Sequence, residues 1–238
     1  MSHGLEVLIE RLGVSISQDL LTQALTHRSH SYENGNQPNN ERLEFLGDSV
    51  LGFVVTSHIY ETLTALPEGE MTKVKNAVVS ARALAIVAAD LGLGEYLLLG
   101  KGELATDGRN KPNLLADAFE AILGAAYISN GYEAARALVE KFVFPLLDNP
   151  DEIRANSDPK TTLQERIQAL GRGTPTYKTR FEGPDHDRNY FSILLINGEE
   201  ISHGEGRTKK NAETEAAIKA LEALVDAVPA VKKKRKRR

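Results

Sequence analysis

The 238-residue chain contains no cysteine. Disulfides, cysteine-type zinc sites and thiol catalysis are excluded together, and a reducing compartment fits, with the cytoplasm as the expectation. No apolar run approaches the ~18 residues that span a bilayer, and the first residues lack a secretory pattern, so no membrane association is expected. Strand signals are missing from residues 1–147. The same region also lacks two pairings that would place a metal on nitrogen. No His-Asp pair occurs in residues 1–157, the chain's one example being His186-Asp187, and no Glu-x-x-His pair follows Glu41 or Asp117. The first absence argues against a His-Asp phosphohydrolase and the second against a di-iron helix bundle.

With 41% hydrophobic residues the chain can fill one or two cores. Its formal net charge of −4 conceals an asymmetry. Residues 1–157 hold twelve basic and twenty-one acidic side chains, a net −9, whereas residues 158–238 hold seventeen and twelve, a net +5. Seven of those seventeen form the tail Lys232–Arg238. An acidic half joined to a basic half points to cation binding by one and polyanion binding by the other.

The acidic half is organised around residues 40–54, Asn-Glu-Arg-Leu-Glu-Phe-Leu-Gly-Asp-Ser-Val-Leu-Gly-Phe-Val. Wound as a helix, this stretch puts Glu41, Glu44 and Asp48 within roughly 60° of one another, with Leu43, Leu46, Val50 and Val54 covering most of the opposite side. Three carboxylates on one face repel one another unless a cation sits among them, and Arg42, the basic residue nearby, points elsewhere. Gly47 inside the helix costs about 1 kcal/mol and predicts close approach of another backbone. A second helix, predicted over 114–130, carries Asp117 and Glu120 on one face. Carboxylates without His or Cys are hard oxygen ligands suited to Mg²⁺, with Mn²⁺ as a substitute. A solvated acidic face is the plain alternative.

Along the chain, helices are predicted over 4–13 and 18–28, followed by a polar loop over 32–39. Asn39 or Asn40 is placed to cap the acidic helix, which runs to about Leu63. One helix is predicted over 71–91, then glycine-rich connection to Pro112. Asn113 is positioned to cap the second acidic helix, and a last helix runs from Tyr132 to about Phe144. Residues 1–147 thus read as an all-α domain, 148–157 as a linker and 229–238 as a disordered basic tail. Residues 158–228 change character: helix 161–170, strands 177–181, 190–196 and 199–204, and helix 208–227, with the second and third strands joined at Asn197-Gly198, a strong hairpin signal. The order α-β-β-β-α makes a small α+β domain.

Asn40–Val50 resembles the signature segment of bacterial ribonuclease III, Leu-Ala-Asp-Ala-Phe-Glu-Ala (115–121) resembles its second acidic motif, and residues 158–228 resemble a double-stranded-RNA-binding domain. The resemblance implies an endoribonuclease that cuts both strands of double-stranded RNA, leaving 5′-phosphate and 3′-hydroxyl ends, and that processes ribosomal and other structured precursors. It implies that Glu44, Asp48, Asp117 and Glu120 hold the metal, with Asp48 and Glu120 closest to the chemistry. Glu41 matches an accessory acid at the site's edge. Glu68 occupies the spacing of another, although Glu70 lies two residues away and the sequence does not rank them. His27 reads as a loop-orienting residue or an ordinary hydrogen-bonded histidine, and Lys73 and Lys75 as phosphate contacts or a solvated face. Phe45 projects about 40° from Glu41, on the acidic side, where a large apolar group wants a partner surface; in the family this aromatic inserts into the second subunit of a homodimer. On the second domain the implied RNA contacts are Thr161, Gln164 and Glu165, then His186 in its loop, then Arg207, Lys209 and Lys210 at the start of the last helix. No small-molecule cofactor is expected. A noncatalytic RNA-binding protein of the same fold would have no need of four intact acids, and a DNA nuclease would have no need of a module suited to A-form helices.

Overall fold

The computed structural model describes residues 2–148, 155, 158–184 and 188–226. The expectations for His186, for the basic tail and for nearly all of the linker lie outside these residues. Contacts divide the chain into two units, Met1–Ser157 and Asp158–Arg238.

The first unit is helical: α1 (Ser2–Leu12), α2 (Gln18–Ala24), α3 (Arg28–Glu33), α4 (Glu41–Thr62), α5 (Glu68–Val78), α6 (Ala81–Asp90), α7 (Lys101–Ala105), α8 (Pro112–Asn130) and α9 (Tyr132–Phe142). Its described residues contain no strand, only an isolated parallel bridge between Thr26 and Leu98. The core wraps α8, whose Ala118, Phe119, Ala121, Ile122, Leu123 and Ala125 are fully buried. The acid-bearing helix α4 lies directly against it. A methyl group on Gly47 would stand 1.8 Å from the Glu120 carbonyl oxygen, and one on Gly124 would stand 2.2 Å from that of Leu43. Each helix supplies one glycine to the crossing, so the backbones meet where any side chain would hold them apart.

Several local expectations are corrected. The single helix expected over 71–91 is two, because Ser80 leaves helical backbone (φ −67°, ψ 147°) and its hydroxyl caps α6 by accepting from the Ala83 amide at 3.3 Å. That side-chain bond competes with continuation of the helix. The helix expected over 18–28 stops at Ala24, where the chain turns to pair with residues 97–99: Leu98 N donates to Leu25 O and His27 N donates to Leu98 O. The loop expected over 32–39 begins later, since α3 runs to Glu33. The connection 92–112 contains α7 and two short 3₁₀ turns. Asn39 rather than Asn40 gives α4 its side-chain cap, accepting from Glu41 N at 3.2 Å. Asn113 lies inside α8, which starts one residue earlier on Pro112, a residue pre-set for the first helical position.

The second unit comprises α10 (Pro159–Ala169), β1 (Pro175–Glu182), β2 (Asn189–Ile196), β3 (Glu199–Gly206) and α11 (Lys209–Asp226). The three strands form one antiparallel sheet in the order β1-β2-β3. Asn197 and Gly198 take φ values of 52° and 87°, the left-handed pair a two-residue hairpin needs. From α11, the residues Ala212, Ala216, Ala217, Ala220 and Leu221 are buried. Gly204 lets the sheet approach this helix closely, for a methyl there would stand 2.1 Å from Ala212 O.

Candidate metal centre and nucleic-acid surfaces

The glycine crossing of α4 and α8 determines where the acids go. Glu44 precedes Gly47 by three residues and Glu120 precedes Gly124 by four, so both carboxylates leave the same side of the contact. Carboxylate oxygens of Glu44, Asp117 and Glu120 lie within 4.8 Å of one another, each half-buried. The set contains no nitrogen or sulfur donor. Asp48 stands outside it, exposed on the next turn of α4, and reaches Glu44 and Glu120 through its charge.

Negative charge at this place is poorly compensated. Burial, then Asp48, Glu44 and Asp117, push the Glu120 carboxyl up to about 8. Burial first and then Asp117, Glu41 and Asp48 raise Glu44, while Arg28 opposes them. Asp117 is raised by burial against the pull of His27 and Arg28. Crowded acids of this kind could hold a cation.

Glu41 lies at the rim, accepting from Asn39 Nδ2 at 3.2 Å and facing Arg28 at 3.6 Å. Glu68 and Glu70, at the start of α5, are engaged locally with Thr72 and Lys73, and neither adds charge at Glu44, Asp117 or Glu120. His27 unites both of its readings. Its ring nitrogen Nδ1 caps α3, accepting from Ser29 N at 3.3 Å, while the ring stays close enough to Asp117 for their charges to interact. Burial, the largest influence on it, lowers its pKa and favours the neutral ring. Phe45 leaves α4 with 78% of its surface exposed, beside an open hollow lined by Leu20, Pro38, Leu46 and Ile128. Sequence reasoning missed Arg28 and Glu103. Both act on His27, and both sit on short helices that no periodicity announces.

In the second unit, Thr161 and Gln164 are exposed on α10 and Glu165 is half-buried there. Arg207, Lys209 and Lys210 are exposed at the head of α11. Lys209 also reaches Glu213, one turn on, at 3.8 Å. Glu213 is 8% exposed, and it further binds Lys160 of α10 at 2.5 Å and the Thr179 hydroxyl of β1 at 3.2 Å. It ties both expected RNA-contacting helices to the sheet, a role without any signal in the residue pattern.

Oxygen ligands crowded on one unit and a sheet backed by helices on the other describe a nuclease joined to an RNA-binding module. Comparison with known proteins agrees. Residues 17–147 match the family model described as ribonuclease-III-like, and residues 159–224 match the double-stranded RNA binding motif. The chain is 49% identical over 219 residues to Ribonuclease 3 of Leifsonia xyli subsp. xyli, covering 92% of each protein. It is 48% identical to Ribonuclease 3 of Thermobifida fusca, covering 90% of each. Among solved structures, the nuclease domain of ribonuclease III from Campylobacter jejuni is similar at 35% identity and a TM-score of 0.55, over 58% of this chain and 94% of that one. That structure is described for flexibility in a region involved in dimer formation. The chain belongs to the ribonuclease III family. It is an endoribonuclease that acts on double-stranded RNA.

Proposed function

We propose that Glu44, Asp48, Asp117 and Glu120 hold divalent metal, Mg²⁺ by preference and Mn²⁺ as a substitute, and that RNA is cut there. The observation carrying this reading is the meeting of three carboxylates within 4.8 Å, with Glu120 pushed up to about 8. An oxygen-only donor set suits a hard cation, and a bound cation removes the repulsion. Such an ion supplies charge relief at the phosphate and a water activated near neutral pH. Asp48 and Glu120 lie closest to the reacting phosphate, Glu44 and Asp117 complete the donor set, and Glu41 and Glu68 are accessory. Attack by water on phosphorus with cleavage of the P–O3′ bond, the 3′ oxygen leaving with a proton, gives a 5′-phosphate and a 3′-hydroxyl.

On this reading Thr161, Gln164 and Glu165 meet ribose hydroxyls in one minor groove and His186 meets the next. Arg207, Lys209 and Lys210 hold phosphates across the groove between them. The chain works as a homodimer through Phe45, one site per subunit and one cut per strand. Its place is the cytoplasm and its substrates are ribosomal and other structured precursors. No helix among the described residues is long and apolar enough to cross a membrane.

Calorimetric titration of the metal-free protein with Mg²⁺ and Mn²⁺, beside cleavage of duplex RNA in each metal and in chelator, tests the centre. Saturable binding that Glu120→Gln weakens is expected; unaltered binding by that variant overturns the assignment. Phe45→Ala tests the assembly. Losing an interface anchor costs about 2 kcal/mol or more, so sedimentation should show a shift toward monomer, and an unchanged dimer would return Phe45 to an ordinary surface role.

A further inference from the structure

We propose that the polar hollow beside the acidic cluster is a subsite for the RNA backbone flanking the cut, with Arg28 as its phosphate ligand and Tyr32 as the surface against which a ribose rests. This rests on the reading of the cluster as the cleavage site. The hollow is lined by His27, Arg28, Tyr32, Asn36, Asn39 and Glu103, together with neighbours from α3.

Its charge arrangement is asymmetric. A polyanionic strand must approach a site rimmed by Glu41, Glu44, Asp48, Asp117 and Glu120. Arg28 and His27 are the positive groups whose charge bears on Asp117, and burial lowers the pKa of His27. Arg28 also opposes the raised pKa of Glu44. Its side chain is 73% exposed, and its ion pair with Glu41 is a single 3.6 Å approach. A surface pair of that geometry contributes little and yields readily to a better anion. Phosphate is such an anion for a guanidinium, which can donate to two of its oxygens at once.

The backbone under Arg28 is fixed even though its side chain is not. His27 caps α3, and the Ser29 hydroxyl accepts from Gly100 N at 2.9 Å. The Glu33 carboxylate, at the far end of α3, accepts from Lys101 N at 2.9 Å. A methyl on Gly100 would meet Glu33 Oε1 at 2.6 Å and Ser29 O at 2.9 Å, so α7 is held tight against α3. A short helix pinned at both ends holds the backbone of Arg28 where its charge acts on Asp117. Tyr32, one turn further on, leaves 80% of its surface exposed at the hollow's outer wall. An exposed aromatic ring next to an exposed guanidinium is a surface suited to ribose and phosphate together.

The test uses the full chain in Mg²⁺, with Glu120→Gln as a background that retains the duplex uncut. Adding Arg28→Gln should weaken duplex affinity about tenfold and lower the slope of log affinity against log salt by about 0.7–0.9 for each subunit engaged, one phosphate contact per site. Arg28→Lys should keep most of the slope. Tyr32→Ala should weaken affinity severalfold with the slope unchanged, since a ribose contact releases no counterion. In the cleaving enzyme, Arg28→Gln should raise KM more than it lowers kcat. An unchanged slope for Arg28→Gln, or a Lys variant no better than the Gln variant, overturns the subsite and leaves Arg28 a counter-charge for Glu41. Cleavage by Glu120→Gln at the parent rate would instead overturn the metal assignment, which separates the two failures.

Discussion

The two units treat buried carboxylates in opposite ways. In the second, Glu213 is 8% exposed and answered on every side: Lys160 at 2.5 Å, Thr179 at 3.2 Å and Lys209 at 3.8 Å. In the first, Glu44, Asp117 and Glu120 converge within 4.8 Å, and no basic residue is among the charges acting on Glu120. A paired buried charge serves architecture, because removing either partner strands the other. An unpaired cluster works against folding stability, and such local conflicts are expected at functional sites. The contrast divides scaffold from chemistry.

Glu120→Gln should break that contrast most severely. It keeps size and helix propensity while removing one charge from the cluster. Cleavage should fall by orders of magnitude in a single-turnover assay, whereas duplex binding on the same preparation survives because the second unit carries it. Stability should move the other way from what loss of a paired acid would give. The Glu120 carboxyl sits at about 8 in the folded chain against an ordinary 4.5, so between those values the folded state keeps a proton that the unfolded chain has lost. Unfolding then releases a proton, and stability falls as pH rises through that window. Metal-free protein should therefore melt at progressively lower temperature from about pH 5 to pH 8, and Glu120→Gln should flatten the trend. A parent protein whose melting temperature rises across the window would contradict the repulsion argument.

Glu213→Ala inverts the experiment. It leaves Lys160 beside the Tyr177 ring without its counter-charge and takes an acceptor from Thr179. With Lys160 partly solvated, a loss of about 2 kcal/mol is expected in the unfolding transition of the second unit, below the figure for a fully buried pair. Urea unfolding followed separately for each unit measures it. A shift confined to the first unit would mean that Glu213 is not the tie described.

How far the sequence revealed this contrast depends on distance along the chain. The acids of α4 and α8 announce themselves because helical spacing puts them on one face, and Gly47 announces the crossing because a glycine inside a helix needs a reason. The family resemblance supplied what spacing leaves open, the roles of the individual acids. Glu213 gives no such notice: Lys160 is 53 residues away and Thr179 is 34 away, and one of three Glu residues on an alanine-rich helix reads as surface. Arg28 escaped for a related reason. Its relation to Asp117 exists only after α2 ends at Ala24 and the chain pairs with Leu98. The break at Ser80 was hidden because alanines on both sides favour continuation, and a single serine cap decided otherwise.

The smallest effect expected comes from Glu133→Gln, and it sharpens the comparison by showing that acidity alone is not what matters. Glu133 opens α9, the helix following the Asp117–Glu120 motif, so a sequence-distance argument would place it near the centre. Its carboxylate is exposed and faces Arg136 at 3.7 Å, while Arg136 bonds Glu140 more closely, at 2.7 Å. Neither Glu44, Asp117 nor Glu120 feels its charge. Losing one member of a solvated pair, with the other partner still bound elsewhere, should leave stability close to that of the parent. Cleavage, metal titration and duplex affinity should all match the parent. A clear loss of cleavage with folding intact would place α9 within reach of the scissile phosphate and require a wider centre than the α4–α8 crossing provides.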